Sequence, residues 1–132
     1  TFVYEAAMLH DIGVVKTNAP GIGCHGTHPY ICHGMLGAEM LRCENLPMHA
    51  RVAERHTGTG LTRATIVAQG LPLPEEDFSP ETIEEQIVCY ADKFFSKSHP
   101  ERVKTIEQVR LMLAKFPDAN LECWDKWVSL FS

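Results

Sequence analysis

His10 and Asp11 stand side by side at the end of the small apolar run Ala6-Ala7-Met8-Leu9, and Gly13 follows almost at once. The pair offers one neutral nitrogen and one anionic oxygen, the donor types that a divalent transition metal takes. The same pair can also be a core histidine satisfied by a neighbouring carboxylate. Three more residues bear on that choice. His33 precedes Leu36, Gly37, Met40 and Leu41 at helical spacing, so it stands at the head of an apolar stripe. His56 shares a face with Val52 and Ala53, and Asp92 falls one turn after Val88. Three imidazoles and two carboxylates converging inside a helical bundle are costly unless a metal compensates them.

The elements that must position these groups read as helices throughout. Thr1 to Asp11 is the end of a helix with Val3, Ala6, Ala7 and His10 on one face. Ile31 to Arg42 is a second helix, and Gly37 and Ala38 allow another backbone to approach it closely. A third starts near Pro47 and is ended by Gly58 and Gly60, with His49 on roughly its inner face; a short fourth runs from Thr62 to Gln69 and is closed by Gly70. The fifth is expected to start at Ser79 and Pro80, with Glu81, Glu84 and Glu85 near the positive end of its dipole and Ile83, Ile87, Val88, Ala91, Phe94 and Phe95 as its buried stripe. Ser98-His99-Pro100-Glu101 fits a capping box opening a sixth helix to Lys115. Pro117 breaks that helix, and Asp118 opens a seventh through Trp124, Trp127 and Phe131, the tryptophans packing as core. No segment alternates at period two, so the fold class is all-α, a bundle of about six to seven helices.

The segment from Ile12 to Tyr30 is a loop rich in glycine and proline that carries Lys16, Cys24, His25 and His28. Its Gly21-Ile22-Gly23-Cys24-His25-Gly26 matches the dinucleotide-binding fingerprint in letters, but neither a preceding strand nor a suitably placed helix accompanies it. It is a loop with glycines.

The chain of 132 residues is long enough to bury a core and is expected to form one domain. A net charge of -5, from 12 Lys+Arg against 17 Asp+Glu, offers no basic field for a nucleic acid polymer. No apolar run is long enough to span a bilayer, and five cysteines without paired spacing read as reduced thiols, so a cytoplasmic location is expected. Because Thr1 already lies inside a helix, some N-terminal sequence is expected to be missing.

His10-Asp11-Ile12-Gly13, then His33-Gly34-Met35-Leu36-Gly37-Ala38-Glu39-Met40-Leu41, then His56-Thr57-Gly58, then Ala91-Asp92-Lys93 resembles the HD-domain superfamily of metal-dependent phosphohydrolases, in particular its HDIG branch. The resemblance covers roughly Ala6 to Lys97, in order. It implies that His10 and Asp11 are the pair that names the family, with Asp11 bridging two metals where two are present. His33 and His56 then complete the second metal, and Asp92 closes the first. The opening histidine of the family lies on an upstream helix, for which this chain has no counterpart; many HDIG members also carry a lysine where Val14 stands, and Lys16 is the nearest candidate for its role.

The chemistry expected of such residues is hydrolysis of a phosphate ester by metal-activated water, with Asp11 and Lys16 as catalytic residues and Lys16 and His28 facing the substrate. The donors suit two divalent transition ions, iron, manganese, zinc or nickel. The substrate expected is a small phosphorylated metabolite, a nucleotide first. The alternative is a non-catalytic regulatory domain that keeps the metal pocket to bind a nucleotide. His49 and His99 read as structural or solvent-facing.

Overall fold

The computed structural model describes residues 1–116 and 119–132. Seven α-helices appear among the described residues, at Phe2–Leu9 (α1), His33–Cys43 (α2), Pro47–Glu54 (α3), Arg63–Gln69 (α4), Ile83–Asp92 (α5), Ile106–Ala114 (α6) and Leu121–Phe131 (α7). The fold is all-α. The segment between α1 and α2 holds a 3-10 turn at Ile12–Lys16 and a short hairpin in which Asn18–Ala19 (β1) pairs antiparallel with Cys24–His25 (β2). Gly21 and Gly23 of the fingerprint-like run therefore form the tip of a hairpin, and Gly26 follows β2.

Helices α4 to α7 each start where a side chain satisfies a free N–H group of the first turn. Thr62 caps α4, whose other end closes on Gly70 in the left-handed conformation. Thr82 and Glu85 form a reciprocal capping box at α5, and Thr105 and Gln108 form another at α6. Ser79 and Ser98 were expected to open these two helices. The real boxes lie later because the preceding residues are engaged elsewhere. The Ser79 carbonyl accepts a 2.7 Å bond from Arg55, and the chain after α5 folds back, with Lys104 N–H donating to Phe94 O at 2.8 Å. The expected break at Pro117 and start at Asp118 lie outside the described residues; α7 is capped by Asn120.

Shifting the start of α5 also changes which residues it buries. Glu85, Val88, Cys89 and Tyr90 turn inward, whereas Ile83, Ala91 and Phe95 are exposed. Tyr90 and Cys89 join Val109, Leu113, Trp124 and Trp127 in a core between α5, α6 and α7. A second cluster, Ala38, Leu41, Ala50 and Ala53, joins α2 to α3, and Ala6, Val52 and Val88 join α1, α3 and α5. α3 ends at Glu54, so His56 sits just past the helix, and α2 is preceded by a 3-10 turn at Tyr30–Cys32.

The α2–α3 side is built for close approach. Gly13 is buried, and a Cβ there would meet the backbone of α2 at His33 O and Gly37 N. A Cβ on Gly34 would lie 2.7 Å from Ala53 O of α3. Glycine is needed at Gly13 because backbone meets backbone, and that contact fixes where the preceding Asp11 sits.

Gly13→Ala is expected to destabilise the fold by about 1–3 kcal/mol through overpacking, read as a lower urea midpoint with an unchanged slope. Glu85 is the second sensitive point. Its buried carboxylate accepts from Arg51 Nε at 2.8 Å and from the N–H groups of Glu81 and Thr82. Burial alone would raise its pKa, but these donors hold it below the usual 4.5. A depressed folded pKa contributes stability that is present above the unfolded value and lost as pH falls through the folded one. Glu85→Gln is therefore expected to cost about 1–3 kcal/mol at neutral pH, with the gap from the wild type closing as denaturation is repeated below about pH 4.5.

Candidate metal centre

Three imidazoles reach one place from three helix ends: His10 at the C-cap of α1, His33 at the start of α2, and His56 just beyond α3. They are held alike. His10 Nδ1 lies 2.6 Å from Ala7 O, His33 Nδ1 2.7 Å from Tyr30 O, and His56 Nδ1 2.6 Å from Ala53 O, each three residues back. A carbonyl oxygen can only accept, so each Nδ1 carries the hydrogen and each neutral ring presents a bare Nε2. This is the arrangement by which a backbone carbonyl fixes the tautomer of a metal-binding histidine.

The bare nitrogens face one another and the carboxylates. His33 Nε2 and His56 Nε2 are 2.9 Å apart, two lone pairs opposed unless a proton or a cation lies between them. Asp11 Oδ1 is 3.4 Å from His33 Nε2 and 3.2 Å from His56 Nε2, and it is buried without a hydrogen-bond donor. Asp11 Oδ2 turns the other way, 3.1 Å from His10 Nε2, which is also 3.0 Å from Asp92 Oδ1. Asp11 thus spans two overlapping donor groups, Asp11 with His33 and His56, and His10 with His56 and Asp92. In each group the donor atoms lie within 4.8 Å of one another, so either group could hold an ion. His56 belongs to both, a sharing that the sequence resemblance did not imply.

The electrostatics point the same way. Burial would lower the pKa of His10, but hydrogen bonds to Asp11 and Asp92 push it up to about 10. A proton on Nε2 there is the positive charge that two carboxylates demand, and a divalent ion supplies the same charge. Although burial works against it, the imidazoles of His10, His33 and His56 packed against it hold Asp11 far below the usual carboxylate range; His10 and the Lys93 ammonium do the same for Asp92. His56 is fully enclosed, and burial lowers its pKa. An orphaned carboxylate oxygen, opposed lone pairs and thiolate-free N/O donors fit a divalent transition metal.

Two lysines join the site that the sequence reading left out. Lys93 is buried, with Nζ 2.6 Å from His56 O and 3.1 Å from Asp92 Oδ2, so it ties the residues after α3 to α5. Cys89 Sγ supports the same stretch through His56 O and Gly58 O. Lys97, at the exposed rim, places Nζ 3.1 Å from Asp11 Oδ2 and 5.5 Å from the centroid of the Tyr30 ring, which stacks on His33. Lys93 left a trace in the sequence, four residues after the buried Cys89 on the inner face of α5. Lys97 left none, because only the fold-back after α5 brings it to Asp11.

Lys16 and His28 are exposed and paired through the backbone, His28 N–H donating to Lys16 O at 3.2 Å. Neither lines the cavity that His33, His56 and Asp92 share with Lys93 and Lys97. His25 is exposed on β2, His49 lies 3.0 Å from Glu5, and His99 is exposed beside Glu101.

The HD-domain family description matches residues 2–96. The chain belongs to the HD-domain family. This HD domain is 39% identical over 120 residues to a Picrophilus torridus protein named tRNA (cytidine(56)-2'-O)-methyltransferase, the match taking in 90% of this chain and 30% of the relative. A Thermoplasma volcanium protein of the same name is 37% identical over 95 residues, 71% of this chain and 24% of the relative. An uncharacterised Methanocaldococcus jannaschii protein is 43% identical over 89 residues, 64% of this chain and 43% of its own length. The chain therefore spans under a third of the two named relatives and under half of the third. No solved structure matches it. No helix among the described residues is long and apolar enough to cross a membrane.

In chelator-treated protein, His56 is expected to be neutral at pH 6.5, with the proton on Nδ1, and to gain its second proton below that pH. Nitrogen-15 NMR of the imidazoles checks this, and an ordinary titration near 6.5 would contradict it.

Proposed function

We propose that the chain is one HD-type domain acting as a metal-dependent phosphohydrolase, cleaving a phosphate ester of a small metabolite, with nucleotides as the first substrates to test. The observation that supports this best is the set of three imidazoles, each with Nδ1 tied to a carbonyl and Nε2 turned toward Asp11 or Asp92. In this reading His10, Asp11, His33, His56 and Asp92 hold two divalent transition ions. When bound, such ions supply an activated water and take up charge on the phosphate oxygens.

The protein's own groups then have distinct tasks. Asp11, with oxygens facing both donor groups, orients the nucleophile as well as ligating. Lys97 offsets the phosphate charge from the rim, the part first expected of Lys16, because its ammonium lies beside Asp11 whereas Lys16 lies outside the cavity. Lys93 is a positioning residue that sets Asp92 and the stretch after His56.

The relatives named as tRNA methyltransferases favour a second reading. Most of each named relative lies outside the match, so the domain is one part of a longer protein in those relatives. In this reading the domain binds metal and a nucleotide or RNA phosphate to regulate a longer RNA-modifying protein, without turnover. Metal with ligand binding but no hydrolysis of any phosphate ester would favour it.

Elemental analysis of protein purified without chelator is expected to give about two transition-metal ions per chain. His33→Ala and Asp92→Ala are each expected to remove metal and phosphatase activity while circular dichroism stays helical; unchanged metal occupancy would sink the proposal. Lys97→Ala is expected to raise KM for a phosphate ester by about tenfold to a hundredfold, the worth of one charge-assisted hydrogen bond, with metal content retained. Lys16→Ala is expected to change KM by less than about twofold.

A further inference from the structure

The cavity beside the His/Asp centre has a volume of about 340 Å³, room for one small molecule. Its two ends differ in chemistry. One is lined by His33, His56 and Asp92, with Lys97 alongside; the rest of the wall is largely apolar, with Leu61, Leu71, Phe95, Met112, Leu113 and Phe116, and Lys104 Nζ donates to Phe95 O at 3.4 Å. Asp92 is the one carboxylate among the described lining residues, so the apolar end offers no carboxylate to a positively charged group. Phe95 and Phe116 are 56% and 60% exposed, apolar surface that a bound ring would cover. Met112, partly buried, adds a flexible thioether that packs well against an aromatic edge.

The position of this wall in the chain carries the argument. The family match ends at residue 96. Met112, Leu113 and Phe116 follow it, so α6 and the residues just after it complete an apolar wall that Leu61, Leu71 and Phe95 of the matched part begin. The matched part provides the His/Asp centre and part of the apolar wall, and the following segment adds Met112, Leu113 and Phe116 to that wall.

We infer that this cavity selects phosphate esters whose alcohol carries a flat, uncharged aromatic ring, with Met112, Leu113 and Phe116 as specificity-determining residues. The inference rests on the phosphohydrolase reading for the placement of the phosphate. The ring leaves water against the α6 wall and Phe95, while the dianion stays by Lys97 and the His/Asp centre. An ester of a small polyol reaches the same phosphate end but gains little from the apolar one.

Titration calorimetry with phenylphosphonate and methylphosphonate, on protein purified without chelator, tests this without relying on turnover. The phenyl compound is expected to bind at least tenfold more tightly, the range over which an apolar pocket discriminates. Met112→Gln and Phe116→Ala are each expected to shrink that ratio by threefold or more while metal content is retained. Equal affinities, or a ratio unchanged in both variants, would overturn the inference. Hydrolysis of phenyl phosphate, assayed in parallel, separates the two readings. Turnover without ring preference sinks the inference alone, ring preference without turnover sinks the hydrolase alone, and failure of both measurements sinks both.

Discussion

Asp11 Oδ1 is a buried anionic oxygen with no hydrogen-bond donor, and the rest of the site is organised around that deficit. In an interior of low dielectric an uncompensated carboxylate is too costly to keep ionised. The three nearby imidazoles could relieve it by donating a hydrogen. Each has instead committed its hydrogen to a carbonyl three residues earlier in its own chain segment. The local helix geometry therefore prevents the neutral rings from satisfying the carboxylate. A positive charge must come from elsewhere, from a proton on His10, from Lys97, or from a metal ion.

The backbone contacts farther out serve the same end. Gly13 lets the turn after Asp11 sit directly on α2, and Gly34 lets α2 sit on α3, so the three segments carrying His10–Asp11, His33 and His56 meet without side chains between them. Any Cβ at Gly13 would push Asp11 away from the three Nε2 atoms it faces. On the other flank, α5 brings Asp92 in and Lys93 bonds back to His56 O. Lys93 is affordable as a buried cation because it neutralises Asp92 and bonds a carbonyl at once.

The five His and Asp positions were legible because each is a polar residue at the end of an apolar helical stripe, a pattern that local spacing reveals. The start of α6 was not. Ser98-x-x-Glu101 and Thr105-x-x-Gln108 carry the same capping signature, and the choice between them falls to a non-local pairing, Phe95 with Val103, that ties residues 95–104 back along the end of α5. The same fold-back hides Lys97 from sequence reasoning. Lys16, by contrast, is near Asp11 in sequence and is carried away from it by the turn and hairpin that follow. Proximity along the chain and proximity in space diverge where a loop reverses direction.

That divergence also separates two kinds of information in the molecule. The residues that would handle phosphorus sit on short elements packed backbone against backbone, where almost any change in volume is felt. The α6 wall meets the cavity through the flexible, partly buried Met112 and the exposed Phe116, which can change without disturbing Gly13, Gly34 or the imidazole tethers. A fold arranged in this way can keep one reaction centre while its organic-group specificity drifts. On the proposed reading the buried tautomers would set the chemistry, and the choice of ester would fall to a helix that packs its other face into the core with Trp124 and Trp127.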